Sequence, residues 1–301
     1  MGDYVAYQNG DWIRLDELRI DALDRGFFIG DTIYEVERTF NGKSFRMKEH
    51  VDRLYRSLKY ARIEPGLSVD EFADVSEEAI SRNRHMLSEA GEFNIHQFVT
   101  RGPGRHAWMA DTPTVGIRVN PVDFHNFYRA YDEGMRAVIT RTRSYSPEAL
   151  DPKIKHYSRM NFSLAELEAH DVDPGAMPIL RDERGSITEG SGYNAFIVTD
   201  GVIRSPADRS ILQGVSRQMV YELAQQLHIP VAEEDLEPYD VYTADEVFFS
   251  TTPWCLVPVT SVDRRQVGDG KPGEITNRLL AAWGEMVGVD IAGQAARIGS
   301  R

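Results

Sequence analysis

Ile187-Thr188-Glu189-Gly190-Ser191-Gly192-Tyr193-Asn194 runs straight into Ala195-Phe196-Ile197-Val198. A glycine-rich turn that empties into an apolar run predicts a loop leading into a buried strand. Its plain reading is a turn with an exposed glutamate. Its chemical reading is a place where backbone approaches a flat ring closely while Glu189 supplies a carboxylate. The Gly-x-Ser-x-Gly elbow of hydrolases is excluded, because Glu189 stands where that motif needs its first glycine.

Further along, Leu212-Gln213-Gly214-Val215-Ser216-Arg217 leads into a helix whose core face is Met219, Val220, Leu223 and Leu227. A glycine followed by serine at a helix start presents free backbone N–H groups to an anion. A serine that merely caps the helix fits the same residues. Ser250-Thr251-Thr252-Pro253 ends a buried strand, where the hydroxyls either complete a phosphate cup or satisfy a turn. In the other direction, Pro152-Lys153-Ile154-Lys155-His156-Tyr157 is extended, and its alternation points Lys155 away from Ile154 and His156. A lysine in such a place is ordinarily a solvated surface residue. In His50-Val51-Asp52-Arg53-Leu54, the plain reading of Arg53 is a helix-surface ion pair with Glu49.

Around these stretches the pattern is α+β. Asn9-Gly10 and Asn41-Gly42 each sit between extended runs, the signal of a hairpin. Val51, Leu54, Tyr55 and Leu58, then Phe72, Val75, Ala79 and Ile80, follow the helical period and predict two helices covering that sheet. Strands are expected at 95–100 and 115–122, and 123–134 reads as a linker. The second half reads as strand 135–140, helix 161–170, strand 176–181, a hairpin around Asp200-Gly201, helix 216–227 and strand 246–251, dominated by antiparallel pairing. The last ten residues, rich in Ala and Gly, are expected to fray. There is no internal repeat.

Composition sets the outer bounds. A chain of 301 residues with 42% hydrophobic residues buries a substantial core and suits two domains. Asp and Glu outnumber Lys and Arg by 47 to 34, a net charge of -13, which repels nucleic acid and anionic lipid, so any phosphate binding is local. Cys255 is the only cysteine, the usage expected of a reducing compartment, and with neither a membrane-length apolar run nor an export signal the expected location is the cytoplasm. The opening Met-Gly does not continue as a myristoylation site, since Ala6 stands where Ser or Thr is needed. A metal-dependent hydrolase would need clustered ligands, and the eight histidines show no metal-type spacing.

Taken in order, these motifs resemble the fold-type IV pyridoxal-phosphate enzymes: branched-chain and D-amino-acid aminotransferases, (R)-selective amine transaminases and aminodeoxychorismate lyases. The similarity starts at Asp24-Arg25-Gly26 and Gly30-Asp31-Thr32-Ile33-Tyr34-Glu35-Val36 and passes through His50 to Leu54. It is most specific at 187–194 and 212–217. The resemblance implies a small two-layer α/β domain over residues 1–120, a linker at 121–134 and a larger pseudo-barrel domain at 135–292, with pyridoxal 5'-phosphate at their interface and a homodimer as the minimum assembly. It makes Lys155 the lysine that carries the cofactor and sets Glu189 at the pyridine nitrogen. Arg53, Val215, Ser216, Thr251 and Thr252 would hold the phosphate, with Gly192, Asn194 and Gly214 completing the cofactor site. The chemistry asks for those types. An amine forms and exchanges a Schiff base and then serves as a base, and a carboxylate keeps a ring nitrogen protonated.

The substrates so implied are a small amino donor and a 2-oxo acid acceptor, exchanged in a ping-pong cycle. Val99 to His106 resembles the region where D-amino-acid aminotransferases keep an arginine and a histidine for the substrate carboxylate, although Arg105 and His106 are adjacent here rather than separated. Arg105 as a carboxylate trap stands against a plain surface arginine. Ser158-Arg159-Met160-Asn161 replaces the Asn-Tyr pair usual in branched-chain enzymes. Tyr34 and Trp254 are candidates for the pocket walls, or for core aromatics. A D-amino acid or (R)-amine donor is therefore expected ahead of a branched-chain L-amino acid, and both ahead of a lyase. A carrier that binds the cofactor without turnover would not need both Lys155 and Glu189.

Overall fold

A computed structural model describes residues 3–110 and 112–301. The chain forms two compact units, Met1–Val122 with Ile154–Arg159, and Asp123–Lys153 with Met160–Arg301.

The first unit holds β1 (Val5–Gln8), β2 (Asp11–Arg14), α1 (Arg25–Ile29), β3 (Thr32–Phe40), β4 (Lys43–Ser44), α2 (Met47–Ala61), α3 (Val69–Arg82), α4 (Leu87–Ala90), β5 (Phe93–Thr100) and β6 (Val115–Pro121). Its six strands form one antiparallel sheet in the order β2-β1-β6-β5-β3-β4. Asn9, Gly10, Asn41 and Gly42 all have positive φ, the turn that matches hairpin twist. The helices α2 and α3 cover one face. The apolar stripe of α2, Val51, Leu54 and Leu58, is buried, and each such side chain contributes about 1.5–3 kcal/mol on leaving water. Ser68 caps α3 reciprocally with Glu71. Asp24 caps α1 through Gly26 N–H and accepts from the hydroxyls of Thr100 (2.6 Å) and Thr114 (2.9 Å), tying the start of α1 to the sheet.

The second unit holds α5 (Ala130–Glu133), β7 (Met135–Arg143), α6 (Met160–Val172), β8 (Met177–Arg181), β9 (Asn194–Thr199), β10 (Val202–Pro206), α7 (Val215–Gln226), β11 (Val231–Glu234), α8 (Pro238–Tyr242), β12 (Glu246–Thr251), β13 (Cys255–Val262), β14 (Arg265–Gln266), α9 (Glu274–Val287) and α10 (Ile291–Gly299). Its sheet runs β11-β10-β9-β12-β13-β7-β8, with β14 paired to β13. Residues 123–134 form a 3-10 turn at Phe124–Asn126 and the short α5.

One expectation needs qualifying and another correcting. Antiparallel pairs are the majority in the second sheet, four against three among the described residues, but β7–β8, β13–β7 and β10–β11 are parallel. Helices α6 and α7 are the crossovers that the β7–β8 and β10–β11 pairs require. The C-terminus does not fray. Asp290 caps α10 at Gly293, the face of Ile291, Ala295 and Gly299 is buried, and His125 Nδ1 sits 2.8 Å from Gly299 O. Small residues at that spacing permit close helix packing, which compositional reading mistook for disorder. Among the described residues no helix is long and apolar enough to cross a membrane, and no His/Cys/Asp/Glu group is arranged to hold a metal.

Candidate active site

In the first unit, β4 pairs only with the far end of β3, leaving the edge of residues 32–36 open. The segment 154–159 occupies that edge. Tyr34 N–H donates to Lys155 O (3.0 Å), Tyr157 N–H to Thr32 O (3.0 Å), and His156 bridges Ile33. Lys155 N–H reaches Ser57 Oγ at 3.3 Å. Alternation then places Lys155 and Tyr157 on the Tyr34 face, away from Ile33 and α2. The Tyr157 ring stacks on Tyr34 at 4.2 Å, and the Lys155 ammonium lies 4.7 Å from the Tyr34 ring centroid. Lys155 is half-buried and has no carboxylate partner among the described residues. It is therefore not the fully solvated lysine of the plain reading.

Arg53 is buried, and its partner is Glu35, not Glu49, which pairs with Arg46. The guanidinium Nε and Nη2 lie 2.6 and 2.7 Å from the two Glu35 oxygens, and His50 Nδ1 is 2.9 Å from Oε2. Burial alone would push the Glu35 carboxyl up, but Arg53 and His50 together hold it well below the ordinary carboxylate range. Glu35 was missed as a partner. Its signal is a charge at a core-facing position of a strand, flanked at alternate positions by Ile33.

In the second unit, Glu189 and Asn194 draw the two most specific motifs together. Glu189 Oε2 accepts from Leu212 N–H (3.1 Å) and from Asn194 Nδ2 (3.2 Å), and Asn194 Nδ2 also donates to Leu212 O (2.9 Å). A Cβ on Gly214 would lie 2.2 Å from Asn194 Oδ1, so any larger residue there would have to displace the Asn194 amide. Gly190 is likewise required by the Tyr193 ring, but a Cβ on Gly192 would meet nothing within 4 Å. Gly214 opens α7 without a side-chain cap, so the first-turn N–H groups at Val215 and Ser216 are presented as an anion site would need. Ser250, opposite Asn194 in the sheet, has a buried hydroxyl without a hydrogen-bond partner. Thr251 donates to Gly192 O (2.8 Å), and Thr252 follows in the turn.

Arg105 has an exposed side chain in the loop after β5, where its carbonyl faces Arg25. Trp254 is half-buried beside Tyr193 and Phe127, and its carbonyl accepts from the Tyr131 hydroxyl at 2.7 Å.

A family model for amino-transferase class IV matches residues 32–262. The chain belongs to the class IV aminotransferases. It is 34% identical over 282 residues to a putative branched-chain-amino-acid aminotransferase of Methanocaldococcus jannaschii, covering 91% of this chain and 93% of that one. It is 33% identical over 276 residues to a D-alanine aminotransferase of Listeria monocytogenes, covering 90% and 92%. Among solved structures, a branched-chain amino acid aminotransferase from T.th. with pyridoxamine 5'-phosphate matches at TM-score 0.87 and 26% identity, over 99% of this chain and 97% of that one. As a class IV aminotransferase, the protein transfers an amino group, and its relatives carry both of the substrate names that the sequence suggests.

Proposed function

We propose that this aminotransferase uses pyridoxal 5'-phosphate to move an amino group from a D-amino acid or an (R)-amine to a 2-oxo acid. A branched-chain L-amino-acid donor is the second reading. The observation that carries the proposal is Lys155, fastened by backbone to the β3 edge with an amine that no carboxylate claims. The D-alanine aminotransferase relatives support the donor preference. The second reading draws on the Methanocaldococcus relative and the branched-chain structures.

The residues fit the cofactor on features of this chain. Gly192 is a glycine that no protein atom explains, the first turn of α7 is uncapped, and the Ser250 hydroxyl is orphaned. When bound, the cofactor supplies an electron sink for the charge left on the substrate's α-carbon. Lys155 would hold it, and its free amine would be the base that takes the substrate's α-proton. Glu189, its carboxylate oriented by Leu212 N–H and Asn194, keeps the ring nitrogen protonated. Val215 and Ser216 would offer backbone N–H groups to the phosphate, Arg53 its cation and Thr252 its hydroxyl, and Thr251 would join them on turning its hydroxyl away from Gly192 O. Tyr34, Arg105 and Trp254 are proposed on the substrate side.

A homodimer in the cytoplasm completes the proposal. The homodimer is supported by Leu23 and Phe27, 72% and 68% exposed in the single chain, and light scattering measures it. The reaction itself is tested by adding D-alanine, (R)-1-phenylethylamine or L-leucine to the cofactor-loaded protein without a 2-oxo acid. Bleaching of the visible band by either of the first two, and not by L-leucine, is expected. The reverse pattern selects the branched-chain reading.

A further inference from the structure

We propose that Arg118 is the residue that receives a carboxylate of the substrate, on the same sheet face as Lys155. The inference deepens the proposed function and rests on its assignment of Lys155.

The register places Arg118 there. On β6 it is directly opposite His96 of β5, which is opposite Val36 of β3, while Tyr34, Phe98 and Gly116 form the adjacent row. Directly opposed residues share a face, and Lys155 joins the Tyr34 row from the β3 edge. Glycine at 116 leaves room for the Phe98 ring, whose atoms would lie 2.1 Å from a Cβ there. Tyr34 and Phe98 thus lie on this face between Lys155 and Arg118, with Val36 and His96 in the neighbouring row.

The charges make the case. Arg118 is half-buried, its guanidinium makes a long 3.4 Å approach to Asn120 Oδ1, and no carboxylate pairs with it among the described residues. The acids of β3, Glu35 and Glu37, alternate onto the opposite, α2-covered face. Lys155 and Arg118 therefore lie on one half-buried face with no carboxylate paired to either among the described residues, an arrangement that an incoming anion completes. Neighbouring groups register the same field. Burial, then Arg118 and Lys155, lower the His96 pKa to about 3, so His96 is a neutral neighbour and does not compete for the anion. At Tyr157, burial raises the phenol and Tyr34 adds to it, while Arg118 opposes. Arg105, the other candidate for a substrate carboxylate, is exposed in its loop in the single chain.

The test uses cofactor-loaded wild type and the Arg118→Gln, Arg118→Lys and Arg105→Gln variants, with D-alanine or L-leucine, D-glutamate, and (R)-1-phenylethylamine as donors. Arg118→Gln is expected to keep the visible band and raise KM for the amino acids about 10- to 100-fold, the loss for a charged hydrogen bond. The carboxylate-free amine should be used as before, and Arg118→Lys should recover part of the loss. A loss confined to D-glutamate assigns Arg118 to the distal carboxylate and still supports it. Equal loss on the amine, or amino-acid loss in Arg105→Gln alone, overturns it. If wild type forms no band, the Lys155 reading fails by itself. Calorimetric titration with propionate then decides Arg118: weaker binding to Arg118→Gln supports it, and equal binding overturns it.

Discussion

Glu35 holds Arg53 edge-on inside the first unit, its two carboxylate oxygens 2.6 and 2.7 Å from Nε and Nη2, with His50 on the same acid. Arg53 is therefore oriented by a buried anion of the chain itself. Replacing Glu35 by Gln leaves a buried guanidinium without its counter-charge, and a loss of about 3–5 kcal/mol in denaturant unfolding is expected. Weaker retention of pyridoxal phosphate should accompany it. The pH dependence has a definite sign. The folded carboxyl titrates below its ordinary 4.5, so its stabilisation is present above that value and lost as pH falls below it. The variant should lack that acid-side slope.

Glu37 is the converse. It is fully buried, its oxygens have no hydrogen-bond partner among the described residues, and the Gln97 amide goes to Ser76 Oγ at 2.8 Å. Burial first, and Glu35 second, push its carboxyl well above 4.5. The unfolded chain releases this proton more readily, so Glu37 costs stability increasingly as pH rises above 4.5. Glu37→Gln should therefore raise the melting temperature at pH 8, with a gain that shrinks toward pH 5. A variant less stable at both pH values would contradict this.

Much of the local structure around the proposed site was legible because its residues sit in turns and helix starts with local rules. Asn9-Gly10 and Asn41-Gly42 specify their hairpins by φ alone, and Gly214-Val215-Ser216 marks a helix start that needs no tertiary information. What escaped depends on pairing across the chain. Nothing near Lys155 shows that it will bond the open edge of β3, since that edge exists only because β4 is two residues long. Arg53 was given a neighbour one helical turn away, whereas its true partner lies 18 positions back. Arg118 lies in an alternating strand like any other, and its isolation from acids appears only once β3, β5 and β6 are in register.

Gly192 and Glu189 separate cofactor effects from folding effects. Gly192→Ala meets no protein atom within 4 Å and should leave unfolding of the cofactor-free chain within about 0.5 kcal/mol, while weakening pyridoxal phosphate in an equilibrium titration. Glu189→Gln should retain the cofactor and slow the half-reaction on the order of 10²-fold. Unchanged cofactor affinity in the first variant would place the ring elsewhere, and an unchanged rate in the second would remove Glu189 from the chemistry.

Lys155 carries the account, and the site of covalent attachment tests it most directly. The protein would be saturated with pyridoxal phosphate, reduced with borohydride, digested and mapped by mass spectrometry. The label is expected on Lys155, within the peptide that spans Ile154 to Tyr157, and absent from a Lys155→Ala variant. A label on another lysine, or none at all, would contradict the proposed function.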